Sequence, residues 1–314
     1  MPSPTYLSEQ DVRRLLDPAR VLDAIESAFR DRYPSVVIPA RTHIPLANGI
    51  FLAMPCYDPS RHSLGTKLVT VKSHPLPGEP SVQATYLLLD ADTVAPRLTI
   101  AANYLTDLRT AATSGTATKY LARQDATSLG IFGTGRLAIS HLKALALVRK
   151  FERVLVCGRD PIRTAAFVDS MKNLPHKLLV QSADARTVAS ESDVLCTCTS
   201  SFAPLFDGRD LRPGTHLNLV GSFQPHTREA DTATIQHSRI VVETYNAALA
   251  EPGDLLIPMR EQAITHEHIV ADLHELISGK KQGRQSREEI TVFKSVGCAL
   301  EDLATAELLL SDST

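Results

Sequence analysis

The stretch Ser128-Leu129-Gly130-Ile131-Phe132-Gly133-Thr134-Gly135-Arg136-Leu137-Ala138 constrains the fold more than any other part of this chain. Apolar residues suited to a buried strand lead directly into G-x-G-x-x-A, and a helical pattern follows over about 136–148. A second strand-like run at 153–157 completes a strand–turn–helix–strand unit. Gly133 permits the tight turn, Gly135 lets the backbone approach a pyrophosphate, and Ala138 lets helix and strand pack closely. The helix N-terminus then faces the phosphates. Gly133, Thr134, Gly135, Arg136 and Leu137 are therefore the expected contacts of a dinucleotide cofactor. Further strand-like runs at 194–198, 216–220 and 239–243 and a helical one at 161–173 continue the alternation. The prediction is α/β: a Rossmann domain, its parallel sheet covered by helices on both faces.

The tip of the second strand bears on the choice of nicotinamide cofactor. A carboxylate there would bind the 2′-hydroxyl of NAD and repel a 2′-phosphate. The sequence reads Val156-Cys157-Gly158-Arg159-Asp160. Cys157 or Gly158 occupies the tip, Arg159 suits a 2′-phosphate, and Asp160 is placed to cap the helix starting at Pro161. NADPH is the expected cofactor, with NADH possible. Thr197, Thr199 and Ser200, after the fourth strand, are expected to line the nicotinamide ribose side, and Ser222 is a further expected cofactor contact.

The rest of the chain has a different texture. Two short helices open it, the first behind a capping box formed by Ser8 and Asp11, the second started by Asp17-Pro18. From about 36 to 101, β-rich runs such as Lys67–Val71 and Gln83–Leu89 alternate with Pro, Gly and Asp clusters, the pattern of an antiparallel sheet. A helix is expected over about 106–122, and a final one contains Leu300, Leu303 and Ala306. These segments predict a smaller α+β domain of residues 1–122 and 292–314, for substrate binding and dimerisation, around a Rossmann domain of 123–291.

Composition excludes several functions. A net charge of −2 without a basic run does not suit nucleic acid or an anionic membrane surface. No apolar stretch approaches the roughly 20 residues needed to span a bilayer, and without a targeting signal the cytoplasm is the default. Five cysteines at irregular spacing make no disulfide framework. Cys157, Cys196 and Cys198 lie in apolar runs, where the thiol usually acts as a small hydrophobe. His266-Glu267-His268 lacks metal-ligand spacing, so no metal is expected.

Three cations outside the nucleotide domain stand out: Arg41 after Ile38-Pro39-Ala40, Lys67 in Gly65-Thr66-Lys67, and Arg109 in Leu105-Thr106-Asp107-Leu108-Arg109-Thr110-Ala111-Ala112. Arg109 is expected in the first turn of its helix, where dipole and guanidinium both attract a carboxylate. With Met54-Pro55, Ser114-Gly115, Asn218-Leu-Val-Gly221-Ser222, Arg228-Glu229-x-x-Asp231 and Phe293-Lys-Ser-Val-Gly297, these segments resemble the ornithine cyclodeaminase/mu-crystallin family along nearly the whole chain. The resemblance implies a homodimer in which Arg41, Lys67 and Arg109 hold a substrate carboxylate, with Met54 and Phe223 also at the substrate. Lys67 and Arg109 are the implied catalytic pair.

Two departures redirect the expected substrate. Where ornithine cyclodeaminases carry amine-binding acids, this chain has Leu52 and Phe223. Burying an ammonium against either would cost several kcal/mol, on the order of an unpaired buried charge. What remains is a carboxylate clamp, a hydride carrier and an apolar pocket. They suit a cyclic imine carboxylate, and Val220–Pro225 is similar to the ketimine reductase branch, which includes Δ1-pyrroline-2-carboxylate reductase. Ornithine cyclodeaminase, alanine dehydrogenase or a crystallin-like NADPH-binding protein are the alternatives. Lys67, or a water near His226 or Ser222, is the candidate proton donor; His43 and His74 also lie near the motifs.

Overall fold

A computed structural model describes residues 4–73, 76, 79–171 and 179–311. β1 (Thr5–Leu7) leads into α1 (Glu9–Leu15), which begins with the expected capping box: Asp11 N donates to Ser8 Oγ at 3.2 Å, and Ser8 N to Asp11 Oδ2 at 3.1 Å. Asp17 caps α2 (Pro18–Ser27), whose buried face carries Val21, Leu22 and Ile25. β2 (Thr42–Leu46), β3 (Gly49–Asp58), β4 (Ser63–Val71), β5 (Val82–Asp90) and β6 (Pro96–Ala101) follow, each antiparallel to the next. β1 pairs in parallel with β6, giving the order β1-β6-β5-β4-β3-β2. α3 (Asn103–Leu121) comes next.

The nucleotide-binding alternation opens with β7 (Ser128–Phe132), α4 (Arg136–Val148), β8 (Arg153–Cys157) and α5 (Pro161–Met171). It continues through β9 (Leu179–Ser182), α6 (Ala185–Glu191), β10 (Val194–Thr197), β11 (His216–Leu219), α7 (Thr232–Gln236) and β12 (Ser238–Val242). Short α8 (Tyr245–Ala248) and α9 (Gly253–Arg260) precede β13 (Ile269–Asp272), α10 (Leu273–Ile277) and β14 (Ile290–Lys294). α11 (Ala299–Ser311) closes the described chain. The eight strands pair in parallel in the order β13-β12-β14-β11-β10-β7-β8-β9. The order reverses between β7 and β10, the switch point at which α/β sheets of this kind bind their ligands. No described helix is long and apolar enough to cross a membrane.

The chain divides into two compact units, residues 1–113 with 297–314, and 114–296. These limits differ from 122/123 and 291/292 for two physical reasons. The later part of α3 bonds within the second unit, for example Thr118 with Asn218 at 2.9 Å. β14 is an interior strand between β11 and β12, so it cannot be divided at 292. In the first unit, α11 packs on β3, β4 and β5, and the row Met54, Lys67, Tyr86 and Ile100 crosses the sheet beneath it. All four side chains are buried.

Candidate active site

The first unit gathers two of the expected cations through acids that the sequence reading had not singled out. Lys67 Nζ lies 2.9 Å from Asp302 Oδ1 and 2.8 Å from Oδ2. Arg109 Nε donates to the same Oδ1 at 3.0 Å, and its Nη1 donates to Glu301. All four side chains are 5% exposed or less, so the charges interact without water between them. Burial and the neighbouring Arg109 push the Lys67 ammonium down to about 8, against the pull of Asp302 and Glu301. An ammonium has three N–H donors, and Asp302 is the hydrogen-bond partner of Lys67 among the described residues. Tyr86 Oη, on the same row, is buried without a hydrogen-bond partner among the described residues. The cluster thus keeps donor capacity that the protein itself does not use.

Arg41 is half-buried and lies one residue before β2. Thr42, the next residue, pairs with Ala53, the neighbour of Met54, which itself pairs with Lys67. Leu52 is buried on β3 between His43 and Val69. One expectation is corrected here. α3 starts at Asn103, whose side chain accepts from Ala84 N at 2.7 Å, so Arg109 lies in the second turn. The helix dipole, felt chiefly in the first turn, is not what prepares Arg109 for a carboxylate; its setting between Glu301 and Asp302 defines the position instead.

In the second unit the phosphate turn is built as its glycines require. Gly133 has φ +109°, and a Cβ there would come within 2.7 Å of the Cys198 carbonyl oxygen. Gly135 caps α4 with no heavy atom within 4 Å of where its Cβ would stand, and no side chain caps the helix. Arg136 is exposed, Thr134 and Leu137 are half-buried, and the first turn holds no acid. An open backbone cradle at an uncapped helix N-terminus fits a pyrophosphate. At the β8 tip, Arg159 is exposed, and Asp160 Oδ1 accepts from Ile162 N at 2.9 Å and Arg163 N at 3.2 Å, the capping role expected of it.

The hydroxyls expected along the crevice donate hydrogen bonds within the protein. Buried Glu229 accepts from Thr197 Oγ1 at 2.8 Å, Thr199 N and Oγ1 at 2.7 Å each, Gly221 N at 2.7 Å and Ser222 N at 3.2 Å. Ser222 Oγ donates to the Thr227 carbonyl at 2.5 Å. A buried carboxylate must be satisfied, so it draws these donors inward and ties the loops after β10 and β11 together. Burial and Asp254 push the Glu229 carboxyl up, opposed by Lys294. Asp254 in turn accepts from Glu229 N at 2.7 Å and from Lys294 Nζ at 2.9 Å, while Lys294 donates to the Ser222 carbonyl at 2.6 Å. Phe223 is half-buried in the loop that these bonds hold. Of the histidines, His43 and His226 are exposed, and His74 lies outside the described residues.

A model of the ornithine cyclodeaminase/mu-crystallin family matches residues 3–313. The chain belongs to that family. A Delta(1)-pyrroline-2-carboxylate reductase of Bacillus cereus is 36% identical over 308 residues, 96% of this chain and 94% of that one. A solved Delta(1)-pyrroline-2-carboxylate reductase of Thermococcus litoralis, in complex with NADH and L-proline, is similar at a TM-score of 0.94 and 37% identity, covering 98% of this chain and 97% of that one. An archaeal alanine dehydrogenase dimer with bound NAD is similar at 0.93 and 30%, covering 99% and 97%.

The family's motif residues acquire physical reasons in this structure. At Gly65 any Cβ would come within 2.1 Å of Tyr86 Oη, so Gly65-x-Lys67 makes room for the tyrosine beside the lysine. Gly297, at φ +90°, lies against Arg109, its missing Cβ 2.9 Å from Nη1. Gly221 admits the Thr199 backbone, and Glu229 binds both loops. These positions shape the site.

Proposed function

We propose that this chain is a ketimine reductase, which reduces the C=N bond of Δ1-pyrroline-2-carboxylate to give L-proline, with NADPH as the preferred donor. Δ1-Piperideine-2-carboxylate, giving L-pipecolate, presents the same groups on a ring one methylene larger. The observation that carries the reading is the buried Lys67–Asp302–Arg109–Glu301 cluster, in a sheet where Leu52 stands in place of an amine-binding acid. The names of the relatives support it.

Lys67 and Arg109 bind the substrate carboxylate through their N–H groups, with Arg41 just before β2 as the third cation. Asp302 and Glu301 fix those donors beforehand, so the substrate need not organise them. A nicotinamide, when bound, supplies the hydride. The imine nitrogen needs a proton, and Lys67 is the donor: its ammonium sits in the cluster with a lowered pKa near the working range. Arg159, exposed and without an acid partner among the described residues, is available to a 2′-phosphate. Homodimerisation is supported by β2, an exposed edge strand with Ile44 and Leu46 each 47% exposed.

A panel of substrates tests the reading. NADPH should be oxidised rapidly with Δ1-pyrroline-2-carboxylate, while L-ornithine and L-alanine should give no turnover with NAD. Ammonia release from ornithine or alanine at comparable rates would replace the reductase with a cyclodeaminase or an amino-acid dehydrogenase.

A further inference from the structure

Below the phosphate turn, three soft donors converge on a point that the nicotinamide chemistry does not use. Cys196 on β10 and Cys198 just beyond it turn their sulfurs to the same side, 3.6 Å apart. His141 on α4 completes the group, and the three ligand atoms lie within 4.8 Å of one another. His141 and Cys196 are fully buried and Cys198 is half-buried.

The orientation of the imidazole is fixed. His141 Nδ1 is 2.8 Å from the Leu137 carbonyl oxygen, which can only accept. Nδ1 therefore carries the proton, and Nε2 presents its lone pair. That lone pair faces the Ser114 hydroxyl at 3.0 Å and the Cys198 thiol. A backbone carbonyl on the remote nitrogen is one of the ways in which metal-ligating histidines are held.

We infer that His141, Cys196 and Cys198 form a binding site for a soft divalent cation of the Zn2+ type, with Ser114 Oγ beside the fourth position. Two sulfurs bonded to one tetrahedral zinc at ~2.3 Å stand about 3.8 Å apart, close to the spacing found here. Each thiol loses its proton to solvent as its S–H bond gives way to a metal–sulfur bond, so two protons are released per cation. Two thiolates neutralise a divalent charge, and the filled site buries no net charge. A disulfide fits less well. Cα atoms two apart on an extended strand are separated by about 6.6 Å, near the upper limit that a disulfide spans.

The site lies beside the cofactor turn. The Cys198 carbonyl is the atom a Cβ on Gly133 would strike, and His141 belongs to the helix that carries Gly135 at its cap. A bound cation would therefore brace that turn from below.

The test uses the full chain, purified under reducing conditions and stripped with a chelator. Titration with Co2+ should give the visible bands of a tetrahedral site and a near-ultraviolet thiolate-to-metal band, saturating at one ion per chain and displaced by Zn2+. Cys196→Ala and Cys198→Ala should each abolish the thiolate band, whereas Cys56→Ala should keep it; circular dichroism of each variant establishes that it is folded. Absence of the band in the reduced wild-type chain, or its persistence in folded Cys196→Ala, overturns the assignment. So does loss of two thiols to a mild oxidant without any metal uptake, which would make the pair a redox couple.

Discussion

In the proposed function, the second unit meets an anion with backbone, and the first with side chains. The phosphate turn consists of Gly133 at a positive φ, Gly135 with open space before it, and the bare N-terminus of α4. The proposed carboxylate clamp consists of Lys67 and Arg109, held by acids 192 to 235 residues further along the chain. A backbone cradle needs only small residues within one short segment, and most of its outward side chains are replaceable. A clamp of buried charges has no redundancy, since every cation depends on an anion that must not be lost. Single substitutions should therefore act severely at the clamp and mildly at the outward-facing side chains of the phosphate turn.

The sharpest break is Asp302→Ala. It leaves Lys67 without its hydrogen-bond partner and removes the Arg109 Nε acceptor, at a cost of about 3–5 kcal/mol in unfolding free energy. kcat/KM should fall by at least ~10³, given the cost of misplacing catalytic groups. Denaturant unfolding and steady-state kinetics read both effects. A variant of wild-type stability and activity would show that the acids do not organise the clamp.

Lys67 gives an intermediate effect with a distinctive sign. Its pKa is lowered from 10.5 in the unfolded chain to about 8 in the folded one. If its ammonium donates the proton, kcat/KM should be level below about pH 8 and fall roughly tenfold per unit above it. Across the window between the two values the unfolded chain binds the extra proton, so this group's contribution to stability rises with pH while activity falls. Activity and stability that decline together over that window would assign the titration to another group.

The smallest effect belongs to the rim of the cofactor site. Arg159→Ala removes one exposed charge from a 2′-phosphate, a loss of about 1 kcal/mol or fivefold in NADPH affinity, with NADH affinity unchanged. Equal changes with both cofactors would end the case for NADPH preference.

The same contrast explains what could be read from the sequence. β7, β8 and α4 have the boundaries read from the sequence because buried parallel strands form continuous apolar runs and the glycines mark the turn between them. β9 and β13 were missed, being four residues each with little apolar contrast. Lys67 and Arg109 were visible as cations, but Glu301 and Asp302 have the local pattern of an acidic start to a helix. Their role depends on α11 crossing β4 and β5, which no local pattern reveals. One signal was present: two adjacent acids in a mostly apolar helix, on positions that turn out to be fully buried. Thr197, Thr199 and Ser222 show the converse: their hydroxyls were legible beside the crevice, but not that Glu229 would accept from the two threonines or that Ser222 would donate to the Thr227 carbonyl.

The central claim, a carboxylate clamp serving C=N reduction, is tested most directly by removing the carboxylate from the substrate rather than the clamp from the enzyme. Initial rates of NADPH oxidation with Δ1-pyrroline-2-carboxylate should exceed those with unsubstituted 1-pyrroline by at least ~10³ in kcat/KM, the worth of two charge-assisted contacts. Comparable rates with both imines would contradict it, because Lys67 and Arg109 would then have no carboxylate to hold.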